Sequence, residues 1–205
     1  LSNETIGNPM ASPAATVDYI VTGTDLNNCI NTDTVEVEVN ALPLVTAGND
    51  AEICEGDNTQ LGAGGAISYV WSPTDSLTDP NIADPFANPT LTTQYIVTGT
   101  DVNLCNNTDT VIITVNPLPA VDAGQDTSMC INDTIQITVA GADTYVWTPI
   151  ATMSDANIAD PLIFNTVTTM YYVTGTDVNL CVNIDSVEIS INALPSVTAG
   201  NDVQI

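Results

Sequence analysis

The chain has 205 residues with 25 Asp and Glu and no Lys, Arg or His, giving a formal net charge of −25 at pH 7. No cationic side chain can pair with a carboxylate, no imidazole can act as general base or metal ligand, and no guanidinium or ammonium can hold phosphate, which excludes nucleic acid as a partner. The carboxylates are dispersed rather than blocked, and 44% of the residues are apolar, a composition of folded chains rather than acidic tails.

In chain order the reading is nearly all β. Val35, Val37 and Val39 alternate with Glu36, Glu38 and Asn40, predicting a half-buried strand with the valines inward. Residues 45–54 read as an interrupted first strand, 59–65 as another, and 68–73 as a third that Pro73 stops. The stretch 74–90, rich in Pro, Asp and Asn, reads as loop or short edge strand. Strands are predicted again at 94–101 and 109–115. The latter recurs at 185–191 with Val187, Ile189 and Ile191 inward and Glu188 and Ser190 outward. No window has helical periodicity. The longest aliphatic runs, such as Val111-Ile112-Ile113, are too short to insert in a membrane.

These elements recur with a period of 76 residues. The period relates Pro43, Pro119 and Pro195; Cys29, Cys105 and Cys181; Cys54 and Cys130; Trp71 and Trp147; Tyr69 and Tyr145; and Tyr19, Tyr95 and Tyr171. Solenoid units run to roughly 20–50 residues, so a unit this long is a small domain. The expected organisation is the C-terminal part of a module at 1–43, complete modules at 44–119 and 120–195, and the first strand of a further module at 196–205. The chain would then be a piece of a longer array. About seven short strands per module predict tandem Ig-like β-sandwiches. Trp71, Trp147, Tyr95 and Tyr171 are the candidate core aromatics, with Tyr95 placed like a corner tyrosine; the alternative for the tryptophans is a sugar-stacking platform.

The frame carried by Val45–Asp50, Ile53-Cys54, Tyr69–Pro73, Tyr95–Asp101, Cys105, Asp109–Val111 and Pro117–Pro119 resembles the PKD/Ig-like tandem repeats of giant Bacteroidetes cell-surface adhesins. The resemblance implies export by the type IX secretion system, a place at the bacterial cell surface, and a group that includes gliding-motility adhesins. Its implied partners are the secretion machinery, other modules of the same chain, and a surface or glycan ligand. Asp-Ser/Thr-aliphatic sequences in such proteins resemble O-glycosylation acceptors, here Thr34, Ser76, Thr110, Thr134 and Ser186; turn chemistry explains the same pattern.

Five cysteines without a CxxC pair read as disulfides of an oxidising compartment. Two pairings stand open. Within modules, Cys54 would join Cys105 and Cys130 would join Cys181. In an Ig-like topology those positions lie at opposite poles, ~30 Å apart at ~3.3 Å per residue. The other pairing, preferred on distance, crosses a junction from Cys54 to Cys181 and leaves Cys29, Cys105 and Cys130 with partners elsewhere.

The last hairpin of each module alternates Asp and Asn: Asp101, Asn103, Asn107 and Asp109, then Asp177, Asn179, Asn183 and Asp185. Alternating oxygen ligands resemble a Ca²⁺ loop, although the spacing is not that of an EF-hand. Tight turns favour the same residues. No cofactor is required, and Ca²⁺ is the one candidate. With no His and no glycine-rich phosphate loop, no catalytic constellation emerges. The expected function is a non-catalytic stalk or filament of a secreted adhesin; the alternatives are a carbohydrate-binding array and the spacer of an exported polysaccharide-degrading enzyme.

Overall fold

The computed structural model describes residues 1–200 and 202. Among them every regular element is a strand: β1 (Val17–Thr24), β2 (Ile30–Val37), β3 (Ala51–Cys54), β4 (Thr59–Gln60), β5 (Ser68–Ser72), β6 (Phe86–Ala87), β7 (Thr93–Thr100), β8 (Asn106–Asn116), β9 (Thr127–Cys130), β10 (Ile135–Gln136), β11 (Thr144–Thr148), β12 (Leu162–Ile163), β13 (Thr169–Thr176) and β14 (Val182–Asn192). The 76-residue period holds strand by strand, since β3–β8 recur as β9–β14 with the same lengths. The chain divides into two compact units. One comprises Leu1–Ala51, Asn58–Asn88 and Gln94–Ile112; the other comprises Glu52–Asp57, Pro89–Thr93 and Ile113–Ile205.

The second unit is a two-layer sandwich. One layer has strand order β11-β13-β14-β9. Its neighbours are antiparallel except β9, which runs parallel to β14 from Thr127 opposite Ile189 to Cys130 opposite Asn192. The other layer is the pair β10-β12, extended by single bridges Asp122–Ala140 and Met153–Ile163. The entering segment thus pairs first with the small layer, at Asp122, and then with the edge of the large one. Gly124, at φ +81°, lies at this crossing, where a side chain would be strained. Alternate residues of the strands meet between the layers: Met129, Ile137, Trp147, Ile163, Tyr171, Val173, Val187 and Ile189.

The sheet β3-β8-β7-β5 and the pair β4-β6 repeat this arrangement one period earlier. β7 and β13 carry the same alternation of buried and exposed residues. The fold is therefore all-β, built of Ig-like sandwiches in tandem.

Three expectations need correction. The first strand, read over 45–54, is a bridge from Thr46 to Gly64 followed by the four-residue β3, because the chain changes layers between them. The strand read over 59–65 stops at Gln60, where glycines at 62, 64 and 65 leave little side chain to pack. The inward valines read at 35–39 hold only in part: in β2 Val35 is 59% exposed and Val37 half-buried, and Val39, beyond the end of β2, is 37% exposed. Among the described residues β1 and β2 form a two-stranded sheet joined to no other strand. The strand expected at 196–205 falls partly on 201 and 203–205, outside the described residues.

Candidate functional site: the Cys54–Cys181 disulfide and its hairpin turn

Cys181 is presented by the turn between β13 and β14. Asp177 closes that turn, its Oδ1 accepting the amides of Asn179 at 2.9 Å and Cys181 at 2.8 Å. The main chain completes the closure, with the Asp177 amide donating to the Cys181 carbonyl at 3.0 Å and the Leu180 amide to the Asp177 carbonyl at 3.1 Å. Leu180 is held at φ +65°, a left-handed conformation that a branched side chain rarely adopts. Its side chain, 79% exposed, stands off the turn while Cys181 is fully buried.

Cys54 ends β3 and opens a second tight turn. The Glu55 amide donates to the Asn116 carbonyl at 2.8 Å and the Asp57 amide to the Cys54 carbonyl at 3.0 Å. Gly56 takes φ +91° between them. The two turns bring Cys54 and Cys181 to a Cα–Cα distance of 5.5 Å, and their sulfurs are bonded at 2.00 Å across a sequence separation of 127 residues. Both cysteines belong to the second compact unit, which takes in Glu52–Asp57. Beside the bond is a groove of about 380 Å³ lined by Glu55, Gly56, Asp57, Leu118, Leu180 and Val182. Leu118 belongs to the Pro117-Leu118-Pro119 segment.

The remaining thiols of Cys29, Cys105 and Cys130 are unbonded; Cys29 and Cys130 are exposed and Cys105 is partly covered. The intramodule pairings are absent for a geometric reason. Cys130 lies opposite Asn192 at one end of β14, whereas Cys181 precedes Val182 at the other end. Ten residue steps of strand separate the ends by ~33 Å, and a disulfide needs Cα atoms within ~7 Å.

The Asp/Asn residues of the hairpins are not gathered around a common point. Asp177 lies beyond the last rung of the ladder, while Asp185 sits opposite Val173, well down the hairpin. Each makes its own backbone contacts. Asp101 Oδ1 accepts the amides of Asn103 and Cys105 at 2.9 Å. Asn107 Nδ2 donates to the Pro43 carbonyl at 3.1 Å, and Asn183 Nδ2 to the Pro119 carbonyl at 3.0 Å. Asp109 Oδ2 accepts the Ala47 amide at 2.8 Å, as Asp185 Oδ2 accepts that of Ala123. Asn103 and Asn179 are exposed. Among the described residues no group of three or more His, Cys, Asp or Glu is placed to hold a metal. Sequence reasoning missed this work: Asn and Asp of the last hairpin pin the segment that enters the module, 62–64 residues earlier. The Ala47 and Thr110 amides hold the Asp109 carboxyl below its ordinary value, and the Cys29 and Asn27 amides do the same for Asp25.

Trp71, Trp147, Tyr95 and Tyr171 are fully buried, so none offers a ring face to a ligand. The Trp71 Nε1 donates to the Ile82 carbonyl and the Trp147 Nε1 to the Ile158 carbonyl, each at 3.0 Å. The corner-tyrosine reading of Tyr95 is corrected, because its hydroxyl has no hydrogen-bond partner. The tyrosines that lock turns are Tyr69 and Tyr145, whose hydroxyls donate to the carbonyls of Ala66 and Ala142 at 2.8 and 2.7 Å and accept the amides of the same residues. Of the candidate glycan acceptors, Thr34, Ser76, Thr110 and Thr134 are exposed and Ser186 is half-buried.

No family model and no curated protein matches the chain. Among solved structures the chain is similar to the insect immune protein hemolin, at 13% identity and TM-score 0.41 over 85% of this chain and 56% of hemolin, so that it spans little more than half that protein. It is similar to Sidekick-1 immunoglobulin domains 1–4, at 11% identity and TM-score 0.38 over 89% of this chain and 60% of that one. It is also similar to DIP-gamma IG1+IG2, at 9% identity and TM-score 0.38 over 74% and 98%. These likenesses are of fold alone.

Proposed function

We propose that the chain is a non-catalytic structural segment, a stalk or filament, of a secreted bacterial cell-surface adhesin, of the kind that serves adhesion or gliding motility and leaves by the type IX secretion system. In this reading each 76-residue repeat, at 44–119 and 120–195, is one sandwich module, and disulfides tie successive modules in series. One observation carries it. The bond joins residues 127 apart, more than one period, so it links a repeat to the next rather than stapling one repeat. A disulfide in that position persists in an oxidising environment, outside the cytosol. The net charge of −25 adds self-repulsion that keeps such an array soluble. No helix of the described residues is long and apolar enough to cross a membrane.

Stretching single chains tests the reading. With the bond intact, force passes from Cys54 directly to Cys181, and the chain between them, a sequence separation of 127, stays out of the load path. Reductant should then lengthen the fully extended chain by ~400 Å, at ~3.3–3.6 Å per residue. Equal extension with and without reductant would remove the mechanical role. Antibodies against the segment that fail to label intact cells of the source would remove the surface role.

A further inference from the structure

The chain has two phenylalanines, and neither is in a core. Phe86 in β6 is 46% exposed and Phe164, just past β12, is 47% exposed. Phenylalanine is among the residues most often buried, so two exposed rings in the same layer of successive repeats call for a reason. The register shows the face they stand on. Gln60 lies opposite Phe86 in the β4-β6 pair, and the Leu77–Ala87 bridge adds residues 76–78 along the other side of β6. Ala87 is fully buried, and Thr59 and Leu77 are half-buried. Side chains alternate across a strand, so Asn58, Gln60, Ser76, Thr78, Phe86 and Asn88 turn outward together, and all six are exposed. The rows are tied in place: Thr78 Oγ1 accepts the Phe86 amide at 3.0 Å, and the Asn88 amide donates to the Ser76 carbonyl at 2.8 Å. The later repeat builds the same face with Leu162 in place of Phe86 and Phe164 in place of Asn88. Neither ring is exposed because the sequence begins or ends where it does: β9–β14 follow Phe86, and β3–β8 precede Phe164.

We propose that this outer face, centred on Phe86, is a binding platform for a neutral oligosaccharide, with a pyranose ring stacked on the phenyl ring. A groove of about 500 Å³ runs over it, lined by Asn58, Ser76, Leu77, Thr78, Phe86 and Asn88. That size suits a small ligand. A stable protein interface needs about 800 Å² from each partner, and a second copy would bring its own charge of −25 against this one. The lining matches the two-sided chemistry of a sugar. Its C–H face takes the aromatic ring, and its hydroxyl edge takes the amides of Asn58 and Asn88 and the hydroxyls of Ser76 and Thr78, groups that both donate and accept. No charged side chain lines the groove. The carboxylate at its side is that of Asp84, whose Oδ2 lies 3.4 Å from Gln60 Nε2. An acidic sugar would meet that carboxylate and no cation, so the ligand is neutral. The later repeat offers a variant of the platform with its ring at Phe164. The inference goes beyond the structural segment proposed above and does not depend on it.

The test probes the purified 205-residue chain on an array of neutral gluco-, xylo-, manno- and galacto-oligosaccharides beside uronic and sulfated ones. The expected result is retention on at least one neutral sugar, at low and high salt alike, and on none of the acidic ones. That sugar is then titrated by NMR, where the side-chain amides of Asn58 and Asn88 should shift. Phe86→Leu removes the ring and keeps an apolar side chain that the later repeat already carries at Leu162, so the fold is retained. It should weaken this titration by about tenfold, the loss of one stacking contact, while Phe86→Tyr retains it. Adding Phe164→Asn, the residue of the earlier repeat at that position, should abolish retention on the array. Four results each overturn the proposal: no neutral sugar retained, retention on acidic sugars alone, retention that survives the double variant, or self-association that Phe86→Leu abolishes, which would make the face a contact between copies. None of them bears on the extension change with reductant, which tests the serial-module function by itself.

Discussion

Asp109 Oδ2 accepts the backbone amide of Ala47 at 2.8 Å, joining β8 to the segment that enters the module. The following repeat makes the same bond from Asp185 to Ala123. Ala47 and Ala123 are buried, so an amide there needs a partner. A carboxylate accepting amide protons is stabilised in its charged form, and the Asp109 carboxyl lies below its ordinary 3.8 in the folded chain. The unfolded chain therefore takes up the proton first as pH falls. This stabilisation is complete above the ordinary aspartate value and is lost as pH drops through the lower, folded one. Asp109→Asn should lower stability at neutral pH and flatten the acid limb of a plot of urea midpoint against pH. An unchanged acid limb would refute the assignment.

The disulfide should contribute more than its neighbourhood suggests, because it closes a long loop. With the cysteines separated by 127 in sequence, the chain-entropy model gives about 5 kcal/mol, an upper figure because engineered cross-links commonly deliver less. Cys54→Ser or Cys181→Ser should lower the denaturant midpoint, with the same loss on adding reductant to the unsubstituted chain. Cys29→Ser and Cys130→Ser, which break no bond in the monomer, should leave the midpoint in place. A drop for the latter pair equal to that for the former would contradict the pairing.

Much of the fold was legible because the repeat fixes register without gaps. The strand read at 94–101 is β7 at 93–100, and the one read at 109–115 lies inside β8. An alternation of valines with polar residues carries its own orientation wherever a second layer exists, as at Val187 and Ile189. The same alternation at Val35 carries none, because burial depends on what covers the face. The entry strand was read too long because layer switching is a tertiary event that leaves only a glycine, Gly48 or Gly124, in the sequence. The Asp/Asn pattern of the hairpins showed a turn. It could not show that Asn107 reaches the Pro43 carbonyl or Asp109 the Ala47 amide, since partners 62–64 residues away leave no local period.

Tyr95 and Tyr171 occupy equivalent buried positions and differ in one contact. The Tyr171 hydroxyl lies 2.6 Å from Thr152 Oγ1, while Ser76 stands at the equivalent position in the earlier repeat and the Tyr95 hydroxyl has no partner. Removing a satisfied hydroxyl forfeits a hydrogen bond and leaves Thr152 to find another, at about 1 kcal/mol. Removing an orphaned one forfeits nothing and relieves its desolvation. Tyr171→Phe should therefore destabilise by about 1 kcal/mol and Tyr95→Phe should be neutral or stabilising. Burial, with Asp75 adding to it, raises the Tyr95 phenol above its ordinary 10.0. The unfolded chain thus loses that proton first, and this part of the stability, whole below the ordinary value, is lost as pH rises through the folded one. Tyr95→Phe should remove that alkaline loss, which urea midpoints on the alkaline side can read.

Gly175 tests how tightly the entering segment is packed against β13. A Cβ added there would fall 2.5 Å from Val121 Cγ2 and 2.8 Å from the Ala142 Cβ; Gly99 meets Val45 and Ala66 in the same way. Replacing glycine by alanine elsewhere gains about 0.4–1 kcal/mol by restricting the unfolded chain. Here overpacking, at about 1–3 kcal/mol, should outweigh that gain. Gly175→Ala is expected to destabilise by about 1–2 kcal/mol. Val121→Ala removes the nearer obstacle, so the double variant should recover part of the loss and the two effects should not add. Strict additivity in a double-mutant cycle of urea midpoints would show that Val121 does not hold the entry segment against the sheet.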